Sequence, residues 1–256
     1  MLLIKSSLFF SLLAVAISLY VFRYTRFMAQ SAGSNSGKKL IKIDVSADTV
    51  CPWCSVGKMN LDKAIASSND QFDFEVSYIS TDNKTILQVR WHPYFLNPSA
   101  PKEGVVKKVH YREKFGPQSE RIEARMAEVF RGHGLDYDVD GLTGNTLDSH
   151  RLITFAGHQG YDKQNALVEE LHLGYFTQGK YIGDKEFLVE AAKKVGIEGA
   201  AEFLDDPNKG VQEVYAELEK YSGHITGVPY YVINGKNKLS GGQPPEVFVR
   251  AFQAAA

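Results

Sequence analysis

Val50-Cys51-Pro52-Trp53-Cys54 is the stretch that decides the fold: the apolar run Leu40-Ile41-Lys42-Ile43-Asp44-Val45 stands before it and a helical pattern follows to about Ser67. A strand therefore hands over to a helix at the two cysteines. A cysteine at a helix N-terminus meets unsatisfied backbone N–H groups and the positive end of the macrodipole, which favour thiolate over thiol. Cys51 is on this reading the nucleophile. Pro52 suits the first helical turn, where its missing N–H costs nothing. Cys54 falls one turn on and on the same face, within reach of a disulfide with Cys51.

Two other uses of a Cys-x-x-Cys pair fit less well. A structural zinc takes four protein ligands. The chain has only these 2 cysteines and shows no His-x-x-x-His cluster near them, so no metal site is expected. A purely structural disulfide over so short a loop would constrain the unfolded chain little. Redox chemistry is the favoured reading.

Outward from the motif, Phe72, Phe74 and Val76 alternate with polar residues as in a half-buried strand, completing a β-α-β start. Tyr78 to Val89 carries Thr81-Asp82-Asn83-Lys84 at its middle and reads as a hairpin tip, with Ile86 to Trp91 as the return strand. Beyond Pro101 the periodicity is helical for over a hundred residues. Ile122, Met126, Val129 and Phe130 share one face, and Thr146, Asp162 and Asp184 stand where helices begin. Such stripes read as core. At the end Tyr230-Tyr231-Val232-Ile233, Asn234-Gly235 and Lys238-Leu239-Ser240 form a hairpin with a type I′ signal, and Pro244-Pro245 open a last helix. The order is β-α-β, a helical insertion, then β-β-α: an α/β fold assembled from both ends of the chain.

Composition narrows the function. Hydrophobic residues make up 44% and charged residues 23%, which is ordinary for a globular protein, and a formal net charge of -1 gives no footprint for a nucleic-acid partner. The apolar run from Leu8 to Phe22 is about fifteen residues long, short of the ~20 that span a bilayer. Arg23 and Arg26 follow it and outweigh Lys5, so an uncleaved anchor would keep the folded domain on the cytoplasmic side, and the site for signal cleavage is poor. Membrane contact is expected only through residues 2–22, if they are retained. Ser31 to Gly37 is a flexible linker by composition. The expected divisions are 1–37 for the apolar segment and linker, 38–103 and 223–256 for the two parts of the α/β domain, and 104–222 for the helical insertion.

Several stretches resemble the DsbA-like branch of the thioredoxin superfamily, and within it the FrnE-like group. They are Asp48-Thr49-Val50-Cys51-Pro52-Trp53-Cys54 with Gly57, Trp91-His92-Pro93-Tyr94-Phe95-Leu96-Asn97-Pro98, Asn145-Thr146 with His150-Arg151, Tyr175-Phe176 with Ile182-Gly183-Asp184, and Gly227-Val228-Pro229 with Ile233-Asn234-Gly235 and Ser240-Gly241. The resemblance implies a thioredoxin fold with an inserted helical domain. It implies that Pro229 is the cis-proline facing the motif, leaving the Val228 backbone to pair with substrate beside Cys51, and that Asn145, Thr146, His150 and Arg151 line the site with Pro52 and Trp53. Two departures stand out. The segment from about Ser77 to Val89 is extra, and Met28-Ala29-Gln30-Ser31 reads as an ordinary start for a soluble relative, which makes residues before Met28 an alternative or misassigned start.

The function implied is a thiol-disulfide oxidoreductase acting on protein or small-molecule thiols and disulfides, with Cys51 attacking and Cys54 resolving. No added cofactor is needed, and glutathione is a candidate co-substrate. One competitor is the glutathione-dependent isomerase and transferase group of the same inserted fold, in which serine usually stands where Cys51 does. The other is a non-catalytic binding or chaperone protein. The expected location is cytoplasmic, facing the cytoplasm from an anchor or soluble from Met28. The sequence does not fix the oligomeric state.

Overall fold

The computed structural model describes residues 40–68, 72–74 and 85–255, with the backbone alone at 72–74 and 85–87. The apolar segment and linker of residues 1–37 lie outside the described residues, as does the hairpin tip expected at Thr81 to Lys84. Among the described residues no helix is long and apolar enough to cross a membrane.

Strand β1 (Leu40–Ala47) leads into helix α1 (Pro52–Ser67), followed by β2 (Phe72–Phe74) and β3 (Thr85–Pro93). The chain returns at β6 (Tyr230–Ile233), β7 (Asn237–Ser240) and helix α9 (Pro245–Ala255). These strands form one sheet in the order β2-β3-β1-β6-β7. β1 is central, parallel to β3 over eight register pairs and antiparallel to β6. Asn234 and Gly235 both have positive φ (50° and 70°), as the type I′ turn between β6 and β7 demands.

The β-α-β start is rearranged from its expected form. The partner of β1 is β3, while Phe72–Phe74 is a three-residue edge strand parallel to β3. The expected return strand Ile86 to Trp91 lies within β3. Its pairing with β2 is parallel, so these two strands are not the arms of one hairpin. Where β2 ends, the outer edge of β3 would leave Trp91 unpaired. Gln164 substitutes for a strand: its Oε1 accepts from the Trp91 N–H at 3.0 Å and its Nε2 donates to the Trp91 carbonyl at 3.2 Å.

One face of the sheet is apolar. Ile41, Ile43, Val45, Tyr231 and Ile233 are buried there, Val89 and Trp91 continue it on β3, and Phe248 and Phe252 of α9 close over it, with the Tyr231 and Phe248 rings 4.9 Å apart. Such burial contributes roughly 1.5–3 kcal/mol per large side chain and is what holds β1 central. The other face is polar: Asp44, Ser46 and His92 meet the turn that ends the insertion.

Between β3 and β6 lies the helical lobe. Its elements are the short strands β4 (Val105–Val106) and β5 (Leu142–Thr143) and the helices α2 (Lys107–Phe115), α3 (Ser119–Arg131), α4 (Leu147–Gly157), α5 (Tyr161–Thr177), α6 (Lys185–Lys194), α7 (Ala200–Asp205) and α8 (Val211–Glu217), ending in a π-helical turn at Leu218–Ser222. α4 and α5 pack on β3, and α2 and α3 stand over the start of α1. The architecture is a thioredoxin fold with an inserted helical domain.

Candidate active site

Cys51 is the N-cap of α1, extended at φ -87° and ψ 111°, and its sulfur accepts from the Cys54 N–H at 3.3 Å. The cap residue of a helix normally offers a side-chain oxygen to these orphan donors. Here a thiol sulfur takes that place. Both cysteines are free thiols, 4% and 0% exposed. Burial pushes the Cys54 thiol well up, and its contact with the Cys51 sulfur pushes the same way. The pair is therefore asymmetric: Cys51 borders open space, while Cys54 is enclosed and holds its proton.

Across from Cys51 stands the loop before β6. The Val228–Pro229 peptide bond is cis, and the Val228 carbonyl oxygen lies 3.7 Å from the Cys51 sulfur. Gly57 permits this approach. A Cβ there would come within 2.1 Å of the Tyr231 hydroxyl and 3.1 Å of Pro229 Cγ. Trp53, 38% exposed, packs by its ring edge near Gly242, where a Cβ would stand 3.3 Å from Cε3. The Arg125 guanidinium sits over the Trp53 ring at 5.9 Å.

A cleft of about 620 Å³ opens above the motif, with Cys51, Pro52, Trp53 and Val228 on its floor and the helical lobe as its roof. Tyr111, Tyr137 and Tyr175 form much of that roof. The hydroxyls of Tyr111 and Tyr137 are 3.3 Å apart, and the Tyr175 hydroxyl donates to Thr143 Oγ1 at 2.7 Å. Burial holds all three phenols above their ordinary range, so they are neutral groups at pH 7. Lys107 ties the roof together: its ammonium donates to the Tyr175 and Asp138 carbonyls and lies 4.0 Å from the Tyr175 ring centroid. Burial pulls it down to about 8.

Pro229 carries the expected cis bond opposite Cys51 and packs against Gly57. Four other residues expected on the site lie outside the cleft lining. Asn145 braces a loop, its Oδ1 accepting from the Leu147 N–H at 2.9 Å and its Nδ2 donating to the Ala100 carbonyl at 3.2 Å. Thr146 is the N-cap of α4 but makes no side-chain cap bond. His150 donates from Nε2 to the Tyr94 carbonyl at 3.0 Å and lies 3.4 Å from the buried Asp48 carboxylate. Arg151 is 1% exposed and turns away, donating to the carbonyls of Lys209 (2.7 Å), Phe203 (3.3 Å) and Asp206 and to Asp148 (2.6 Å). Asn145, His150 and Arg151 satisfy backbone groups, and with Thr146 they stand outside the cleft wall. On α3, Met126 and Phe130 are buried as its stripe implies, while Ile122 and the buried Met126 also line the cleft. Tyr111, Lys114, Arg125 and Tyr137 carry no local signal in the sequence, because only the tertiary arrangement brings α2, α3 and the loop after it over the motif.

Comparison with known proteins follows the same lines. The model of the DsbA-like thioredoxin domain matches residues 42–253, nearly the whole described chain. The chain belongs to the DsbA-like family. Among solved structures it is similar to one described as a probable DsbA oxidoreductase from Streptomyces coelicolor, at 28% identity and a TM-score of 0.68, covering 84% of this chain and 89% of that one. It shares the fold of the cytosolic disulfide reductase DsbM of Pseudomonas aeruginosa, at 19% identity and a TM-score of 0.53, covering 83% and 97%. The uncharacterized protein YwbO of Bacillus subtilis is 22% identical over 220 residues, 83% of this chain and 96% of that protein. In this DsbA-like chain the insertion supplies the roof of the cleft and the thioredoxin core supplies its floor.

Proposed function

We propose that the chain is a thiol-disulfide oxidoreductase using Cys51 and Cys54 as a dithiol/disulfide couple. The observation that carries this reading is the asymmetry of the pair: one sulfur capping a helix at the floor of a cleft, the other enclosed behind it with its thiol pushed up. Cys51 attacks a disulfide bond and takes one half of it as a mixed disulfide. Cys54, protonated until then, gives up its proton and displaces that half by attacking the Cys51 sulfur. The Val228 carbonyl, 3.7 Å from Cys51, is available to an N–H of a bound thiol compound and orients it beside the sulfur. No cofactor is required, and glutathione serves as a thiol co-substrate. The FrnE-like assignment of the motif belongs to this reading.

Serine in place of the first cysteine would suit the glutathione-dependent isomerases; an intact pair speaks for exchange. The test is a titration of the chain in dithiothreitol redox buffers with mass-tagging of free thiols. The expected result is joint loss of both tags at one midpoint, in a unimolecular product. Tags lost one at a time, or retained throughout, would refute the couple.

A further inference from the structure

The cleft that holds Cys51 has a chemistry of its own, and it restricts the compound that exchange can act on. Its volume of about 620 Å³ lies in the range of small-molecule sites, roughly 300–1,000 Å³. The Cys51 residue is only 4% exposed, beneath helices α2 and α3, so a disulfide on the surface of a folded protein has little access to its sulfur. The walls are aromatic, from Trp53, Tyr111, Phe115 and Tyr137. Two cations, Lys114 and Arg125, both exposed residues, also line the cleft, and no Asp or Glu does among the described residues. Neither cation has a carboxylate within ion-pair distance among the described residues, although the chain as a whole carries net charge -1. Arg125 is further fixed over the Trp53 ring, next to the nucleophile.

Resting on the exchange reading above, we infer that the substrate is a small organic disulfide with an aromatic body and a carboxylate. The ring lies among Trp53, Tyr111, Phe115 and Tyr137, and the carboxylate meets Arg125 and Lys114. In the reductive direction the Cys51 thiolate forms a bond to one substrate sulfur as the substrate S–S bond breaks and the first thiolate leaves. Cys54 passes its proton to that thiolate and attacks Cys51, forming the Cys51–Cys54 disulfide and expelling the second half. Two electrons thus move from the thiolate–thiol pair to the substrate, whose halves depart as one thiol and one thiolate, the second taking a proton from water. A reducing thiol, of the glutathione or dithiol class, returns the pair to the dithiol.

Single turnovers of the prereduced full chain test this, read by thiol release from four probes: dithiobis(nitrobenzoate), which is aromatic and anionic; dithiodipyridine, aromatic and neutral; dithiodipropionate, aliphatic and anionic; and insulin. Each rate is divided by that of the same probe with free dithiothreitol, which removes leaving-group differences. The aromatic anion is expected to lead each of the other three by about tenfold, the lower end of electrostatic focusing in clefts. Lys114→Gln/Arg125→Gln should lower the rate of the aromatic anion about tenfold more than that of the neutral aromatic probe; raising the salt to about 0.5 M should have the same selective effect on the parent chain. Equal normalised rates, insulin in the lead, or a double variant that slows both aromatic probes alike would overturn the assignment while leaving exchange intact. No reaction of any probe at Cys51 would instead remove the exchange reading itself.

Discussion

The Cys51 sulfur lies 3.7 Å from the Val228 carbonyl oxygen, a contact between the start of α1 and a loop 177 residues away. It joins the two separated parts of the thioredoxin core at the point where chemistry is proposed. Its closeness depends on what stands beneath it. Gly57 on α1 leaves room for Pro229 and Tyr231, and both would be struck by a methyl group there.

Gly57→Ala therefore destabilises the fold. The new Cβ meets the Tyr231 hydroxyl, and overpacking of this kind costs about 1–3 kcal/mol. That hydroxyl is buried without a hydrogen-bond partner, so Tyr231→Phe alone should change stability by less than about 1 kcal/mol. Combined with Gly57→Ala it should recover at least half of the loss. Urea unfolding of the three variants measures this; additive losses in the double variant would contradict the packing described.

Arg151 separates structure from activity. Its guanidinium satisfies three backbone carbonyls at the end of α7 and beyond, so Arg151→Met leaves buried acceptors unpaired and should cost about 2–4 kcal/mol. Arg151→Lys should restore little of this, because an ammonium lacks the planar fork. Exchange rate per folded molecule should stay within about twofold of the parent. A large rate loss in a folded variant would return Arg151 to the active site.

His92 predicts a pH dependence. Burial pulls its imidazole down, but Asp44 at Nε2 (2.9 Å) and Glu217 at Nδ1 (3.2 Å) together outweigh burial, and the net shift is upward. A raised folded value means the protonated ring binds more tightly in the native state. The stabilisation is full below the unfolded value of about 6.5 and disappears as pH rises through the higher folded value. The stability difference between the parent chain and His92→Gln, from urea melts, should thus shrink across that window. A difference that grew with pH would show that His92 is held neutral.

Much of the fold is legible in the sequence for physical reasons. The strand-to-helix handover at Val50 to Cys54 has a helix start, a first-turn proline and paired thiols within five residues, and Asn234-Gly235 adopts the positive φ values that its turn signal implies. The partner of β1 is harder to read. Phe72, Phe74 and Val76 alternate with polar residues, and so do Leu87, Val89 and Trp91 of β3, so alternation alone does not say which of the two strands pairs with β1. On β3, Arg90 bonds Gln88 of the same strand, while His92 reaches Asp44 and Glu217 on other elements. Arg151 and His150 are expected on the site only through the family resemblance, and nothing local in the sequence says where their side chains go. Their carbonyl partners, at Lys209, Phe203 and Tyr94, lie far away in sequence. The cleft wall is hidden for the same reason, since Ile122 and Met126 carry the periodicity of a core helix and only the neighbouring α1 start makes them a wall.

The most direct measurement is capture of the mixed disulfide. Reduced Cys54→Ser, treated with dithiobis(nitrobenzoate) and passed through rapid desalting, should carry one thionitrobenzoate per chain by intact mass, located at Cys51 by peptide mapping and removed by dithiothreitol. The parent chain should carry none and instead be lighter by two hydrogens. An unmodified Cys54→Ser chain, or a stable adduct on the parent chain equal to that on the variant, would contradict attack by Cys51 and resolution by Cys54.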